Sequence, residues 1–148
     1  MNTFNQKGSS TVEFAILLPL LLLLVVMVAE LGIRFYQLNT LTKSVQDAAR
    51  YLSAVSVNKT NSAADKTIAK NLAVYGNTAG TGTAVLSGLT TANIIPSNPD
   101  ANHVQVSASY SSALPGLPSL NAIMNLATGG TAPDIITLGA SSVMRFAQ

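Results

Sequence analysis

The sequence predicts an α+β protein. A long N-terminal helix, transmembrane and then amphipathic, packs on a small head with a second helix and a short antiparallel sheet. Three observations predict this. Phe14 to Ile33 reads FAILLPLLLLLVVMVAELGI, with 17 apolar residues in 20. An apolar stripe at helical spacing follows directly. Further on, His103 to Ser111 alternates apolar and polar residues.

The apolar run comes first. A spanning helix needs about 20 predominantly apolar residues, and Phe14–Ile33 supplies them. The exceptions are Pro19, Glu30 and Gly32, and Phe14 to Ala29 carries no charge. A buried core helix is disfavoured, because a segment apolar on every side needs a large protein around it. A cleavable secretory signal is disfavoured too. Its n-region would be Lys7 alone, and a cut after Ala29 would put Met27, not a small residue, at position −3. Pro19 removes one backbone hydrogen bond, which membrane helices tolerate better than soluble ones.

The helix is expected to continue. Leu31, Leu38, Leu41, Val45, Ala48, Leu52 and Val55 recur at steps of seven, three and four. No Pro or Gly interrupts Ile33 to Val57. One helix from about Ser10 to about Ser56 follows, roughly 70 Å long at 1.5 Å per residue. Its second part needs a cover for the stripe, and the chain's own C-terminal part is the expected cover. Glu30 and Arg34, four apart at the far edge of the span, suit an ion pair at the interface.

Asn58 to Asn61 reads as a break. Ser62-Ala63-Ala64-Asp65 has a capping residue and an acid in the first turn, so it starts a second helix. Ala64, Ile68, Leu72 and Tyr75 are its expected inner face, and Gly76 its end. Gly76–Gly82 is a loop, Thr83–Leu86 a short strand, and Ser87–Ala101, with Pro96 and Pro99, a long loop. In the strand at 103–111, Val104, Val106, Ala108 and Tyr110 face one way. Pro115 and Pro118 bound a turn, Ser119–Ala127 forms a short helix, and Gly129-Gly130 and Pro133 break it. Ile135–Phe146 is the last strand, with Ile136, Leu138, Ala140, Met144 and Phe146 on one side. No repeats occur.

The chemistry is sparse. Charged residues make up 9% of the 148, and the net charge is +2. Average soluble domains are about 25% charged. A strong field for nucleic acid is therefore absent, and nucleic acid is not an expected partner. There is no cysteine and one histidine, which excludes thiol chemistry and leaves little for a metal site. Asp100 and Asp134 are the only carboxylates or cations from residue 71 to 144. They read as loop caps, and His103 as an exposed strand start. No catalytic residue, cofactor site or metal site is expected, and the chain does not read as an enzyme. Asn58-Lys59-Thr60 has the N-glycosylation pattern, but nothing suggests a eukaryotic secretory pathway.

The most informative stretch precedes the apolar run. Lys7-Gly8-Ser9-Ser10-Thr11-Val12-Glu13-Phe14 places a glycine before a short polar stretch and a carboxylate five residues after it. Ser10 to Glu13 also forms an S-x-x-E capping box, with Ser10 as the cap. Together with L-L-P-L-L-L-L-L, the Glu30-Leu31-Gly32 exit and Ala48-Ala49-Arg50-Tyr51, this resembles the TadE-like family. Its members are minor pilins, or pseudopilins, of the tight-adherence (Tad, or Flp) pilus system. The resemblance is specific from about Lys7 to Tyr51. Beyond, only a stranded end closing on Ser141-Ser142-Val143-Met144-Arg145 fits.

The resemblance implies a pilin-like fold in three parts: a prepilin leader at 1–8, the long helix at 9–57 with its span at 14–33, and an extracytoplasmic α+β head at 58–148. It implies cleavage by a prepilin peptidase between Gly8 and Ser9. Glu13 would then be the fifth residue of the mature chain. A carboxylate beside hydrocarbon is costly and seeks a partner. The implied partner is the α-amino group of a neighbouring subunit during assembly. The implied setting is a single pass through the bacterial cytoplasmic membrane with the head outside, and possible incorporation in the extracellular pilus. The implied partners are the lipid bilayer, other pilins and minor pilins, and the inner-membrane assembly machinery. Charge alone points weakly the other way. Arg34, Lys43 and Arg50 follow the span while Lys7 precedes it, and the positive-inside rule would put the C-terminus in the cytoplasm. A leader this short votes weakly. The alternative is an unprocessed bitopic membrane protein with a periplasmic binding head.

Overall fold

The computed structural model describes residues 9–56, 60–111, 125, 129–130 and 137–147. The described chain has two helices, α1 (Ser9–Val55) and α2 (Ala63–Tyr75), a 3₁₀ turn at Thr91–Asn93, and three strands, β1 (Ile94–Asp100), β2 (His103–Ser111) and β3 (Thr137–Arg145). The strands form one antiparallel sheet in the order β1-β2-β3. This is the expected α+β pilin-like layout. The chain divides into two compact units, Met1–Ile33 and Arg34–Gln148.

The first unit holds the apolar part of α1. Val12, Phe14, Ile16 and Leu17 to Leu24 are all exposed. Pro19 lies inside the helix, which continues through it.

The second unit is built around the C-terminal part of α1. Leu41, Val45, Ala48, Ala49 and Leu52 are fully buried in its core. This is the middle of the expected stripe. The stripe fails at its two ends. Leu31 is exposed because it belongs to the apolar segment, and Val55 is exposed in the last turn of the helix.

α2 starts where Ser62 caps it. The Asp65 N–H donates to Ser62 Oγ at 3.1 Å, and the Ser62 N–H donates to Asp65 Oδ2 at 3.0 Å. This reciprocal box satisfies donors that the first turn leaves without helical partners. Gly76 ends the helix at φ 71°, its N–H donating to the Leu72 carbonyl at 2.9 Å. The inner face differs from the expected one. Ala69, Ala73 and Val74 are buried, Ile68, Leu72 and Tyr75 are only half-buried, and Ala64 is exposed. The helix turns its small residues inward, where they permit close approach to the core. The larger side chains flank that contact.

Two expectations in the middle of the chain are corrected. Thr83–Leu86 is not a strand. Gly82 and Gly88 flank it at positive φ, and the chain between runs in bends and turns that bury Leu86, with Leu89 buried just after Gly88. The Val85 N–H donates to the Val74 carbonyl at 2.8 Å, and the Leu89 N–H to the Leu86 carbonyl at 3.1 Å. The expected loop at 87–101 instead contains the 3₁₀ turn and strand β1. Pro96 and Pro99 argued against a strand, since proline cannot donate to a ladder. They are tolerated because β1 is an edge strand. The register with β2 slips between Ser97 and Asp100, which brackets Pro99.

β2 is the central strand and buries Val104, Val106, Ala108 and Tyr110 on one face, as the alternation predicts. The Tyr110 hydroxyl donates to the Ser87 carbonyl at 2.6 Å, which gives the buried ring a satisfied polar end. β3 turns Leu138, Ala140 and Met144 toward the core, and Phe146 is buried after it. Backbone bonds hold this end. Phe146 N–H donates to the Asn102 carbonyl and Ala147 N–H to the Ser53 carbonyl, at 2.9 and 3.1 Å. The turn at Pro115 and Pro118, nearly all of the helix expected at 119–127, and Pro133 to Ile136 lie outside the described residues.

Candidate functional site

α1 begins at Ser9. Gly8, on the N-terminal side of the expected cut, lies outside the described residues. Ser9 and Ser10 are in the first turn of the helix, so Ser10 is not the cap that the S-x-x-E pattern suggested: the helix starts one residue before it. Glu13 follows one turn into α1 and is exposed. It stands at the edge of the apolar segment, because Phe14 and the residues after it carry no charge up to Glu30.

The apolar segment has the physical properties of a membrane span. Its best 18-residue window has a mean hydropathy of 2.8, and none of that window is buried within the chain. A core helix of a soluble protein would be covered. This one presents leucine on every side, so the helix is long and apolar enough to cross a bilayer.

At the far end of that segment two charged residues are withdrawn from solvent. Glu30 is 3% exposed and Arg34 8%. Phe35 and Tyr36, beside them in sequence, are 63% and 68% exposed. Sequence reasoning passed over this aromatic pair. The signal was present: two consecutive aromatic residues just past the end of an apolar run.

A second pair of titratable groups sits at the β1–β2 turn. His103 Nδ1 lies 2.8 Å from both Asp100 carboxylate oxygens. The Asn102 N–H donates to Asp100 Oδ1 at 2.7 Å, so Asp100 caps the turn as its sequence position suggested. That backbone bond, and then the hydrogen bond to His103, hold the Asp100 carboxyl below its ordinary value of 3.8. Both side chains are open to water, at 55% and 40% exposure for Asp100 and His103. The described residues hold no cluster of three or more His, Asp or Glu side chains. A shallow groove of about 200 Å³ lies between α1 and α2, with Lys43, Asp47, Leu72 and Val85 in its wall. Ser44, also in its wall, donates its hydroxyl to the Leu41 carbonyl at 2.9 Å.

α1 therefore carries three features in succession. It has a polar helix start with one carboxylate, an apolar segment exposed on all sides, and an amphipathic continuation that carries a folded head. The model of the TadE-like protein family matches residues 8–50. No match to the chain is found among curated proteins or among solved structures. The matched stretch takes in Gly8, Ser9, Ser10, Glu13, Glu30 and Arg34, all singled out in the sequence.

Proposed function

We propose that this chain, TadE-like over residues 8–50, is a minor pilin (pseudopilin) of a Tad pilus. A prepilin peptidase cuts between Gly8 and Ser9 on the cytoplasmic side. The mature chain stays in the bacterial cytoplasmic membrane through residues 14–33, with its head outside. It then joins other pilins and the inner-membrane machinery in starting or supporting a pilus for surface adherence. The observation that carries this reading is the family match, which begins at Gly8 and runs through the whole apolar segment.

Glu13 has the central role in the proposed assembly. After the cut it is the fifth residue, and its carboxylate lies at the lipid boundary. An α-ammonium from a neighbouring subunit there neutralises it and fixes the stagger between the two helices. An ion pair near hydrocarbon is stronger than one in water, because the surroundings screen it less. The one-turn spacing of Glu30 and Arg34, together with their burial, supports an ion pair at the outer edge of the span.

The experiment is Glu13→Ala in a piliated strain. The variant is expected to reach the membrane at normal levels and to impair pilus assembly. Normal piliation with this variant contradicts the pairing role. The alternative, an unprocessed bitopic protein with a periplasmic binding head, is separated by where the mature chain starts: at Ser9 for the pilin, at Met1 for the alternative.

A further inference from the structure

Phe35 and Tyr36 are the two most exposed large apolar side chains described between residue 34 and residue 147. Head residues of comparable size and chemistry are covered: Tyr110 is 2% exposed and Phe146 4%. The pair is therefore not left out for want of a core. It stands two and three residues past Ile33, where the apolar segment ends.

Distance decides what surrounds the pair. A bilayer has an apolar core of about 30 Å and a total thickness of about 40–45 Å, so each headgroup layer is about 5–8 Å deep. At about 1.5 Å per residue, Phe35 and Tyr36 lie about 3–5 Å beyond Ile33 along the helix. That is inside the headgroup layer. Asn39, at about 9 Å, is beyond it. Aromatic rings favour this layer, and tyrosine adds a hydroxyl that reaches water while its ring stays in the apolar zone. The neighbouring charges are compatible with such a place. Glu30 and Arg34 are buried, so the exposed surface of this turn is Leu31, Gly32, Ile33, Phe35 and Tyr36 and carries no charge.

We propose that Phe35 and Tyr36 form an aromatic anchor in the headgroup layer of a lipid bilayer, just beyond the hydrocarbon edge at Ile33. The inference rests on residues 14–33 being the membrane span. Its occupant is lipid, by continuity with the exposed apolar surface that runs unbroken up to Leu31. The anchor limits how far α1 can slide along the membrane normal, because both rings lose apolar contact in water and the Tyr36 hydroxyl loses its water in the hydrocarbon core.

The chain contains no tryptophan, so one substitution creates a single fluorescent reporter. Three full-length variants are compared in phosphatidylcholine vesicles: Tyr36→Trp, Leu24→Trp in the span, and Val143→Trp on the exposed face of β3. The vesicles carry brominated acyl chains, with bromine either near the glycerol end or near the chain terminus. The Tyr36→Trp emission is expected to be quenched about twofold more by shallow bromine than by deep bromine, with the opposite order for Leu24→Trp. Val143→Trp is expected to keep its emission in both.

If Tyr36→Trp is unquenched while Leu24→Trp is quenched, the anchor is wrong and the span stands. If neither is quenched, the span itself is wrong and the anchor falls with it. If Tyr36→Trp is quenched in dilute vesicles but loses that quenching as protein per lipid rises, a second copy rather than lipid is the preferred occupant, and the assignment is overturned.

Discussion

The two halves of α1 share one secondary structure and have opposite solvents. Leu22 is 57% exposed and Leu41 is fully buried, although both are leucines in the same helix. The difference is pattern. Around Leu22 every position is apolar, so the helix has no face to turn toward a protein core. Around Leu41 the apolar residues recur at Val45, Ala48 and Leu52, separated by Thr42, Lys43, Gln46 and Asp47. That stripe has a direction, and the sheet and α2 supply the covering surface. Hydrophobicity alone therefore does not say where a helix goes. Its distribution around the axis does.

The sharpest way to break this comparison is to remove the same atoms from each half. Leu52→Ala creates a cavity in the core and is expected to destabilise the head by about 2–5 kcal/mol. Leu22→Ala is expected to leave unfolding of the head unchanged. Thermal unfolding of the two full-length variants in detergent checks both. Equal effects would mean that the apolar segment is part of the head's core.

Smaller changes sharpen the picture of the head. Ser62→Ala removes the cap of α2 and is expected to cost about 1 kcal/mol, read as a lowered unfolding midpoint. Gly76→Ala forces a side chain into a left-handed backbone conformation and is expected to cost a similar amount, about 1 kcal/mol. The nearest atom to the added carbon is Val85 Cγ2 at 3.9 Å, so the cost is conformational and not a clash.

The smallest effect concerns pH. The Asp100 carboxyl is held below its ordinary value in the folded protein. Its contribution is therefore present above about pH 4 and is lost as pH falls through the lower, folded value. Asp100→Asn is expected to flatten the stability profile slightly below pH 4. An unchanged acid limb in that variant would show that the turn does not depend on the charge.

Much of this architecture was legible in the residues. The helix from Ser9 to Val55 needed only an apolar run, a stripe and the absence of later breakers. The cap at Ser62, the stop at Gly76 and the alternation at Val104–Tyr110 are local signals with local causes. β1 was not legible, because Pro96 and Pro99 mark a loop unless the strand is known to lie at an edge. Whether it does depends on which strands pair, and that is decided by residues far away in sequence. The inner face of α2 was misread for a related reason. Ile68 and Leu72 are more hydrophobic than Ala69 and Ala73, yet the space against α1 and the sheet favours the small pair. At the candidate site, Gly8, Ser9 and Glu13 were singled out through the resemblance of their stretch to the TadE-like family, whose model matches residues 8–50. The burial of Glu30 and Arg34 was not foreseen, because it depends on tertiary packing.

The account's central claim is that the apolar half of α1 belongs to a processed pilin. The most direct test is the N-terminal residue of the chain purified from membranes of cells with and without the prepilin peptidase. The account predicts Ser9 when the peptidase is present and Met1 when it is absent. Met1 in both preparations would contradict it.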